Sequence, residues 1–165
     1  MNIVFTGFMG VGKTTIGKIV AKKLGLGFCD TDLEIERFYK MSIPEMFEQF
    51  GEPKFREFET QIIKKISEKD GFVISCGGGV VKSETNMNFL KKNGKIVNLY
   101  ADVERILKNI GENNNRPLLI GKTKEEVDLM IKEREKFYQN CDVRIDVTNL
   151  SKSEAAEAVI KAVRN

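Results

Sequence analysis

A chain of 165 residues, 41% of them hydrophobic and 31% charged, is long enough for one compact domain, which we expect to span 1–165. Its 27 basic and 24 acidic residues leave a net charge of only +3, which argues against a nucleic-acid partner. The complete absence of histidine excludes histidine-based acid–base catalysis and histidine metal sites.

The hydropathy pattern and the cysteines narrow the class of protein further. No apolar run reaches 18 residues and the N-terminal MNIVFTG lacks a basic leader, so we expect no membrane span, no signal peptide and a cytoplasmic location. The three cysteines, Cys29, Cys76 and Cys141, are widely spaced and odd in number. That favours buried, reduced thiols over disulfides or a metal site.

The first strand and helix of the chain enclose a phosphate-binding pattern. An apolar run at 2–7 predicts a buried strand, and apolar residues at helical spacing predict a helix over 14–25. Between them, GFMGVGKTTIG has two glycines five residues apart followed by Lys13 and Thr14. Glycines let the backbone amides at a helix N-terminus approach a phosphate. Lys13 would supply a charge to the β- and γ-phosphates, and the Thr14 hydroxyl suits Mg²⁺.

The next strand, over 27–32, ends in a pair of acidic residues, and a helix follows over 32–40. Alternate residues of an extended segment share a face, so Asp30 and Asp32 can act together. Asp30 would hold Mg²⁺ through water, and Asp32 would accept hydrogen bonds or a proton from a substrate hydroxyl. The alternative is that Asp32 or Thr31 merely caps the following helix.

A third helix starts at Ser42, which has Glu45 three residues on. This helix breaks near 51–53 and resumes to about Glu68. Arg56 follows the break, in FREFE. Its guanidinium could grip a substrate carboxylate with two hydrogen bonds. It could equally form a helix-surface ion pair with Glu52 or Glu59, which stand at helical spacing on either side.

The third strand, over 71–79, ends in three glycines, Gly77, Gly78 and Gly79. Glycines at the end of a strand expose backbone amides where a ligand can come close. A loop that simply needs positive φ is the alternative. Further apolar runs predict a fourth strand over 94–101 and a fifth over 141–147.

The segment over 110–122 is polar, has no clear period and joins two helices, which is typical of a lid. Its Arg116 could stabilise the charge of a transferring phosphoryl group, or could be a solvated loop arginine. The pairs Thr123–Glu126 and Ser151–Glu154 mark the starts of the last two helices. Arg134, in the first of these, has no local signal beyond that of a solvated helix charge beside Glu133 and Glu135.

Strands that alternate with helices predict an α/β fold with a five-stranded parallel sheet covered on both faces. Ligands of such sheets bind beyond the carboxyl ends of the strands, where the polar and glycine-rich residues of this chain gather. The Asn-Lys-x-Asp and Asp-x-x-Gly motifs of GTPases are absent, and the chain is short for a mechanochemical ATPase. A phosphoryl-transfer enzyme that acts on a small molecule remains, and we expect it to be monomeric.

Taken in order along the chain, these stretches resemble the shikimate kinases, which belong to the nucleoside-monophosphate-kinase-like P-loop folds. The matching stretches are GFMGVGKTT, FCDTDLEIE, EMFEQFGEPKFREFE, ISCGGGVV, NRPLL and REKFY. The resemblance implies a three-layer kinase fold and ATP-dependent phosphorylation of the 3-hydroxyl of shikimate, with Mg²⁺, in aromatic amino-acid synthesis. In this family the segment over 32–60 would bind shikimate.

The resemblance also assigns residues to each ligand. The shikimate site would comprise Asp32, Arg56, Gly77, Gly78, Gly79 and Arg134. The ATP site would comprise Gly10, Val11, Gly12, Lys13, Thr14, Thr15, Lys108 and Arg116. Mg²⁺ would lie at Thr14 and, through water, Asp30, and the catalytic residues would be Lys13, Asp32 and Arg116.

Two positions depart from the family pattern, and one related activity competes. Many members have an arginine against the adenine where this chain has Lys108-Asn109, and some have basic residues at Leu150 and Ser151.

A gluconate-type kinase would share the phosphate loop, although we would not expect it to combine DTD, FRE and three glycines. A catalytically silent nucleotide-binding protein is the alternative from a different class.

Overall fold

The centre of the molecule is a parallel sheet of five strands in the order β2-β3-β1-β4-β5. The computed structural model describes residues 1–112 and 122–165. The strands are β1 (Asn2–Thr6), β2 (Gly27–Asp30), β3 (Phe72–Ser75), β4 (Gly94–Tyr100) and β5 (Val143–Asp146). The central position of β1 explains its unbroken apolar character, because all five of its residues are buried between β3 and β4. The predicted five-stranded parallel sheet is confirmed.

Helices cover both faces of this sheet, as the full burial of β1 requires. They are α1 (Lys13–Leu24), α2 (Thr31–Tyr39), α3 (Ile43–Ser67), α4 (Glu84–Lys92), α5 (Val103–Glu112), α6 (Lys124–Tyr138) and α7 (Lys152–Arg164). Helix α1 packs against α7, and α3 packs against both α2 and α4. The predicted caps at Ser42, Thr123 and Ser151 each accept a hydrogen bond from the backbone N–H three residues on.

The predicted break in the third helix lies at Gly51, whose φ of 79° interrupts the helical backbone. Only glycine adopts that conformation without strain, and Pro53 restarts the helix because its own φ is already helical. The kink divides α3 into an N-terminal arm and a longer C-terminal part that carries Arg56 and Glu59. Both residues therefore lie on the part of α3 whose apolar side chains enter the core.

All five strands end earlier than their patterns predict, by one residue in β1, β4 and β5 and by more in β2 and β3. The second ends at Asp30, since Thr31 already begins α2. The third ends at Ser75, so Cys76 and the three glycines form a loop that leads into a short 3₁₀ helix, Val80–Lys82. This loop is longer than expected and lies where the carboxyl ends of β1, β2 and β3 meet.

Helix α6 is fixed to the sheet by a chain of polar contacts. Asn98 of β4 donates to the Thr6 hydroxyl and accepts from the Arg144 guanidinium of β5, which in turn pairs with Glu135 of α6. The neighbouring residue, Arg134, is thereby held close to the carboxyl end of the sheet.

The cysteines agree in part with their prediction. Cys29 and Cys76 are buried free thiols, and burial raises the pKa of Cys29 to about 11. Cys141 is also free but only half-buried. Within 1–112 and 122–165, no helix is long and apolar enough to cross a membrane.

Candidate active site

The phosphate loop links the end of β1 to the first residue of α1 through three glycines with positive φ. Gly7, Gly10 and Gly12 have φ angles of 149°, 82° and 106°. Gly12 occupies the N-cap position of α1, where it has no side chain to cap the helix, and the first turn carries no acidic residue. The amides at this end of α1 and the positive end of its dipole are therefore available to an anion.

Lys13 folds back over this loop. Its ammonium donates to the carbonyl oxygens of Gly7 (2.6 Å) and Phe8 (3.1 Å), and only 8% of the residue is exposed. A buried cation needs such partners, because transfer out of water is otherwise costly. The ammonium is consequently held at the loop, where the phosphates of a nucleotide would lie.

Thr14 and Asp30 form the oxygen-rich side of the site. The Thr14 hydroxyl donates to Asp30 Oδ2 at 3.1 Å and lies 3.5 Å from the Ser75 hydroxyl. The other oxygen of Asp30 accepts from the backbone N–H of Leu33. The alternative that Asp32 or Thr31 caps α2 is wrong, because Asp30 is the N-cap and Asp32 is left for another role.

The donor set at Thr14 and Asp30 fits a hard cation that keeps much of its water. Across the described ranges, no group of three or more Asp, Glu or Cys side chains could hold a metal ion by itself. A hydroxyl and a carboxylate beside a phosphate loop are what Mg²⁺ requires, because it takes phosphate oxygens and water as its other ligands.

Asp32 lies in the cleft with an unusually high affinity for a proton. Its pKa is raised from 3.8 to about 6, chiefly because burial disfavours the charged form and further because Asp30 and Glu59 repel it. The Lys13 ammonium acts in the opposite direction. A carboxyl with a pKa close to neutrality suits proton exchange with a substrate hydroxyl.

The glycine loop after β3 brings the predicted acceptor residues together. A Cβ atom at Gly77 would lie 2.4 Å from Asp32 Oδ1, one at Gly78 would lie 2.9 Å from Arg134 Nη1, and one at Gly79 would lie 2.4 Å from Arg56 Nη1. None of the three glycines has positive φ, so the alternative based on backbone conformation is wrong. They are glycines because three functional side chains occupy the space where their own side chains would be.

Arg56 forms ion pairs with both glutamates that its sequence offers as the alternative to a substrate carboxylate, but only one of the two lies on the surface. Its guanidinium pairs with exposed Glu52 at 3.5 Å, as a helix-surface ion pair would. It also donates to both oxygens of Glu59, at 3.0 and 3.2 Å, and Glu59 is only 2% exposed. The buried carboxylate fixes the guanidinium against Gly79.

Arg134 is not a solvated helix charge, and that alternative is wrong. Its Nη1 atom is buried and, among the residues that the structure describes, has no hydrogen-bond partner. The guanidinium points from α6 towards Gly78. A buried, unsatisfied guanidinium nitrogen costs free energy unless a ligand completes it.

Residues predicted for the nucleotide and for the acceptor line one cleft. Its walls include Lys13 and Thr14 of the phosphate loop, Asp30 and Asp32, and the backbone of Gly77 and Gly78. The predicted groups for a phosphate and for a hydroxyl-bearing acceptor therefore face the same space.

Several residues near the site carry no sequence motif of their own. Asn109 donates to the Gly10 carbonyl at 2.8 Å, whereas the predicted ATP residue Lys108 lies on the exposed face of α5. The Lys152 ammonium lies 2.5 Å from the position of a Cβ atom on Gly12. Glu59 was recognised only as a surface partner of Arg56. Arg116 and most of the predicted lid lie outside the described residues.

Comparisons with known proteins agree with this geometry. The family model "Shikimate kinase" matches residues 9–164. A shikimate kinase from Caldicellulosiruptor saccharolyticus is 48% identical over 160 residues, which is 96% of this chain and 93% of that protein. One from Thermoanaerobacter pseudethanolicus is 46% identical over 98% of this chain and 95% of its own length. The structure of shikimate kinase from Acinetobacter baumannii in complex with shikimate superposes with a TM-score of 0.90, at 33% identity, over 99% of this chain and 92% of that one.

The raised pKa of Asp32 predicts that Asp32→Asn stabilises the protein at neutral and alkaline pH. The pKa of Asp32 is higher in the folded state than in the unfolded chain, so protonation of this carboxyl favours the folded state. The free energy of unfolding of the wild type is therefore highest below about pH 4 and decreases as the pH rises through about 6. At pH 8 the variant should unfold with a free energy up to about 3 kcal/mol greater than the wild type, from 1.36 kcal/mol per pKa unit.

Urea unfolding at pH 4.5, 6 and 8 measures this difference. It should shrink towards zero at the lowest pH. Asp70→Asn is the control, because the N-terminal amine lowers the pKa of this exposed carboxyl and its replacement should bring no gain at pH 8. A constant difference between Asp32→Asn and the wild type at all three pH values would contradict the assignment.

Proposed function

The chain belongs to the shikimate kinase family, and we propose that it transfers the terminal phosphoryl group of ATP to the 3-hydroxyl of shikimate through the residues of this cleft. The observation that carries the proposal is the loop of Gly77–Gly79, against which one carboxylate and two guanidinium groups pack. Shikimate has one carboxylate and three hydroxyls, so its chemistry is complementary to that set.

On the donor side, the phosphate loop would hold the nucleotide by its amides and by Lys13. Gly10, Val11, Gly12, Thr14 and Thr15 supply the remaining backbone and hydroxyl groups. Thr14 and Asp30 would hold Mg²⁺, which neutralises phosphate charge when it is bound. Lys13 already lies at the loop with its ammonium on two carbonyl oxygens, so it can exchange one of them for a phosphate oxygen with little movement.

On the acceptor side, Arg56 and Arg134 would bind the carboxylate of shikimate, and Asp32 would bind its hydroxyls. Glu59 holds Arg56 in place beside Gly79, and Arg134 lies against Gly78, whereas the amide of Gly77 donates to the Thr31 hydroxyl at 2.8 Å. Asp32, once ionised, would orient the 3-hydroxyl and accept its proton as the phosphoryl group is transferred. Most catalysis of this kind is achieved by positioning and by charge stabilisation.

We extend the proposal to Arg116, which lies outside the described part of the chain, and to Lys108 on the exposed face of α5. Arg116 would close over the site on a lid and stabilise the transferring phosphoryl group, and Lys108 would approach the nucleotide as the lid closes. We also propose that the enzyme works as a cytoplasmic monomer. Shikimate as the acceptor agrees with the ligand named for the structure from Acinetobacter baumannii.

Turnover with two acceptors tests the function. We expect ATP-dependent ADP release with shikimate and none above background with gluconate, because gluconate lacks the rigid ring that presents a carboxylate and hydroxyls to opposite walls of the cleft. Lys13→Ala should lose turnover by about 100-fold or more, since a cation on the transferring group is removed. Lys18→Ala, an exposed lysine on the same helix, is the control. Shikimate-independent ADP release, or near-normal turnover of Lys13→Ala, would refute the proposal.

Calorimetry of Arg56→Ala tests the carboxylate clamp. A charge-assisted bidentate contact contributes about 1.5–3 kcal/mol, so shikimate should bind about 10- to 100-fold more weakly while ADP binds as in the wild type. Arg37→Ala provides the same change at an arginine that is ion-paired with Glu34 on the surface of α2. Equal shikimate affinity in both variants would contradict the role of Arg56.

Substitution of the glycines should follow the distances to their neighbours. Gly79→Ala places a methyl group on both terminal nitrogens of Arg56, so kcat/KM for shikimate should fall about 10- to 100-fold with KM for ATP unchanged. Gly78→Ala meets only the tip of Arg134 and should lose less. Steady-state kinetics of both variants would overturn this account if Gly79→Ala were the milder of the two.

A further inference from the structure

The guanidinium of Arg134 lies on the ring of a residue in the phosphate loop. Its Cζ atom is 5.4 Å from the centroid of the Phe8 ring, and Phe8 is only 3% exposed. A guanidinium within about 6 Å of an aromatic face is attracted by the ring quadrupole, the more strongly where water is excluded. The contact joins an acceptor-site residue on α6 to the loop that would hold the nucleotide.

The backbone of Phe8 is bound to the other side of the site. Its carbonyl oxygen accepts from the Lys13 ammonium at 3.1 Å and from the Val11 amide at 3.3 Å. Phe8 therefore contacts Lys13 of the phosphate site through its backbone and Arg134 of the acceptor site through its ring. A change in how Lys13 is bound bears directly on the position of that ring.

The two acceptor arginines are oriented by different physical means. Arg56 is held by the buried carboxylate of Glu59, which occupies Nη1 of its guanidinium. Among the described residues, Arg134 has no ion pair, because the adjacent Glu135 pairs with Arg144 and Nη1 of Arg134 has no acceptor. Tyr138 lies one helical turn on and is 3% exposed; burial raises the pKa of its hydroxyl, and the nearby Arg134 guanidinium partly opposes that rise.

An aromatic support has a chemical advantage at this position. A carboxylate partner would use the N–H groups that a substrate carboxylate needs, whereas a ring face orients the guanidinium plane and leaves its in-plane donors available. The buried Nη1 atom, without an acceptor, is such a donor.

We propose that the ring of Phe8 positions Arg134 for the carboxylate of shikimate and couples the acceptor site to the nucleotide site. The inference rests on the proposed function, since it takes shikimate and ATP as the two ligands. Phe8 itself contacts neither reacting group and is a positioning residue. When a nucleotide phosphate replaces the Phe8 carbonyl as a partner of Lys13, the loop and the ring adjust together, and the affinity of Arg134 for a carboxylate changes with them. By thermodynamic linkage, shikimate must then alter the affinity for the nucleotide by the same factor.

The test is calorimetry of shikimate and of ADP, each with and without the other, on the wild type and on Phe8→Leu. Loss of a desolvated ring–guanidinium contact should weaken shikimate binding about 3- to 30-fold. ADP affinity without shikimate should change less than twofold. The ratio of shikimate affinities with and without ADP, which should differ from one in the wild type, should approach one in the variant.

Matched variants separate positioning from loss of packing. Phe5→Leu makes the same change at a fully buried phenylalanine whose ring packs on Gly17, so it should lower thermal stability and leave both affinities unchanged. Phe8→Met keeps an apolar side chain of similar length without a π-face, and it takes the place of Phe8→Leu if that variant does not fold.

In an Arg134→Lys background the Phe8 substitution should have a smaller effect on shikimate affinity, because an ammonium does not stack on the ring as a guanidinium does.

Each result supports or refutes the inference. Phe8 variants with normal shikimate affinity, an equal loss of affinity for both ligands, or a wild type in which ADP leaves shikimate affinity unchanged would overturn it. If the wild-type enzyme fails to phosphorylate shikimate at all, the proposed function fails instead, and turnover measured on the same preparation distinguishes the two cases.

Discussion

The missing side chains of three consecutive glycines are the constraint on which the site depends. Gly77, Gly78 and Gly79 follow directly from a central strand, and the space above each backbone is filled by a functional group from another element: Asp32 from α2, Arg134 from α6 and Arg56 from α3. A methyl group at any of the three would collide with one of these groups. The sheet therefore fixes three helices relative to one another at the point where the chemistry takes place.

The electrostatics of the cleft follow from that packing. Three acidic groups, Asp30, Asp32 and Glu59, are close enough to influence one another, and burial raises the pKa of both Asp32 and Glu59. Arg56 opposes this effect at Glu59 by direct hydrogen bonds, and Lys13 opposes it at Asp32. The neighbouring cation offsets the effect of burial on the pKa less at Asp32 than at Glu59. Asp32 is therefore the carboxyl whose charge changes near neutral pH, and Glu59 serves as the ion-pair partner of Arg56.

Local patterns predicted most of the fold because its signals are contiguous in sequence. The apolar runs, the capping pairs and the Gly51–Pro53 break each lie within a few residues, and the structure has the corresponding strands, caps and kink. The phosphate loop is likewise a single stretch. Asp32, Arg56 and the three glycines are acceptor-site candidates from their local sequence, with structural alternatives left open. Arg134 is identified only through the resemblance to a family, because nothing around it distinguishes it from a surface charge. Its burial depends on Phe8 and Gly78, which lie 126 and 56 positions earlier in the chain.

The same long-range contacts bring three groups that are costly to bury into one site. A carboxyl that must be desolvated, a guanidinium nitrogen with no acceptor among the described residues and a buried ammonium are each unfavourable by themselves. They are tolerated because the surrounding core, from β1 to the C-terminal part of α3, is buried and close-packed. Each of the three is complementary to one part of the proposed substrates: the hydroxyl, the carboxylate and the phosphate. A ligand that interacts with these groups stabilises the fold as it binds, and that links affinity for both substrates to the stability of the fold.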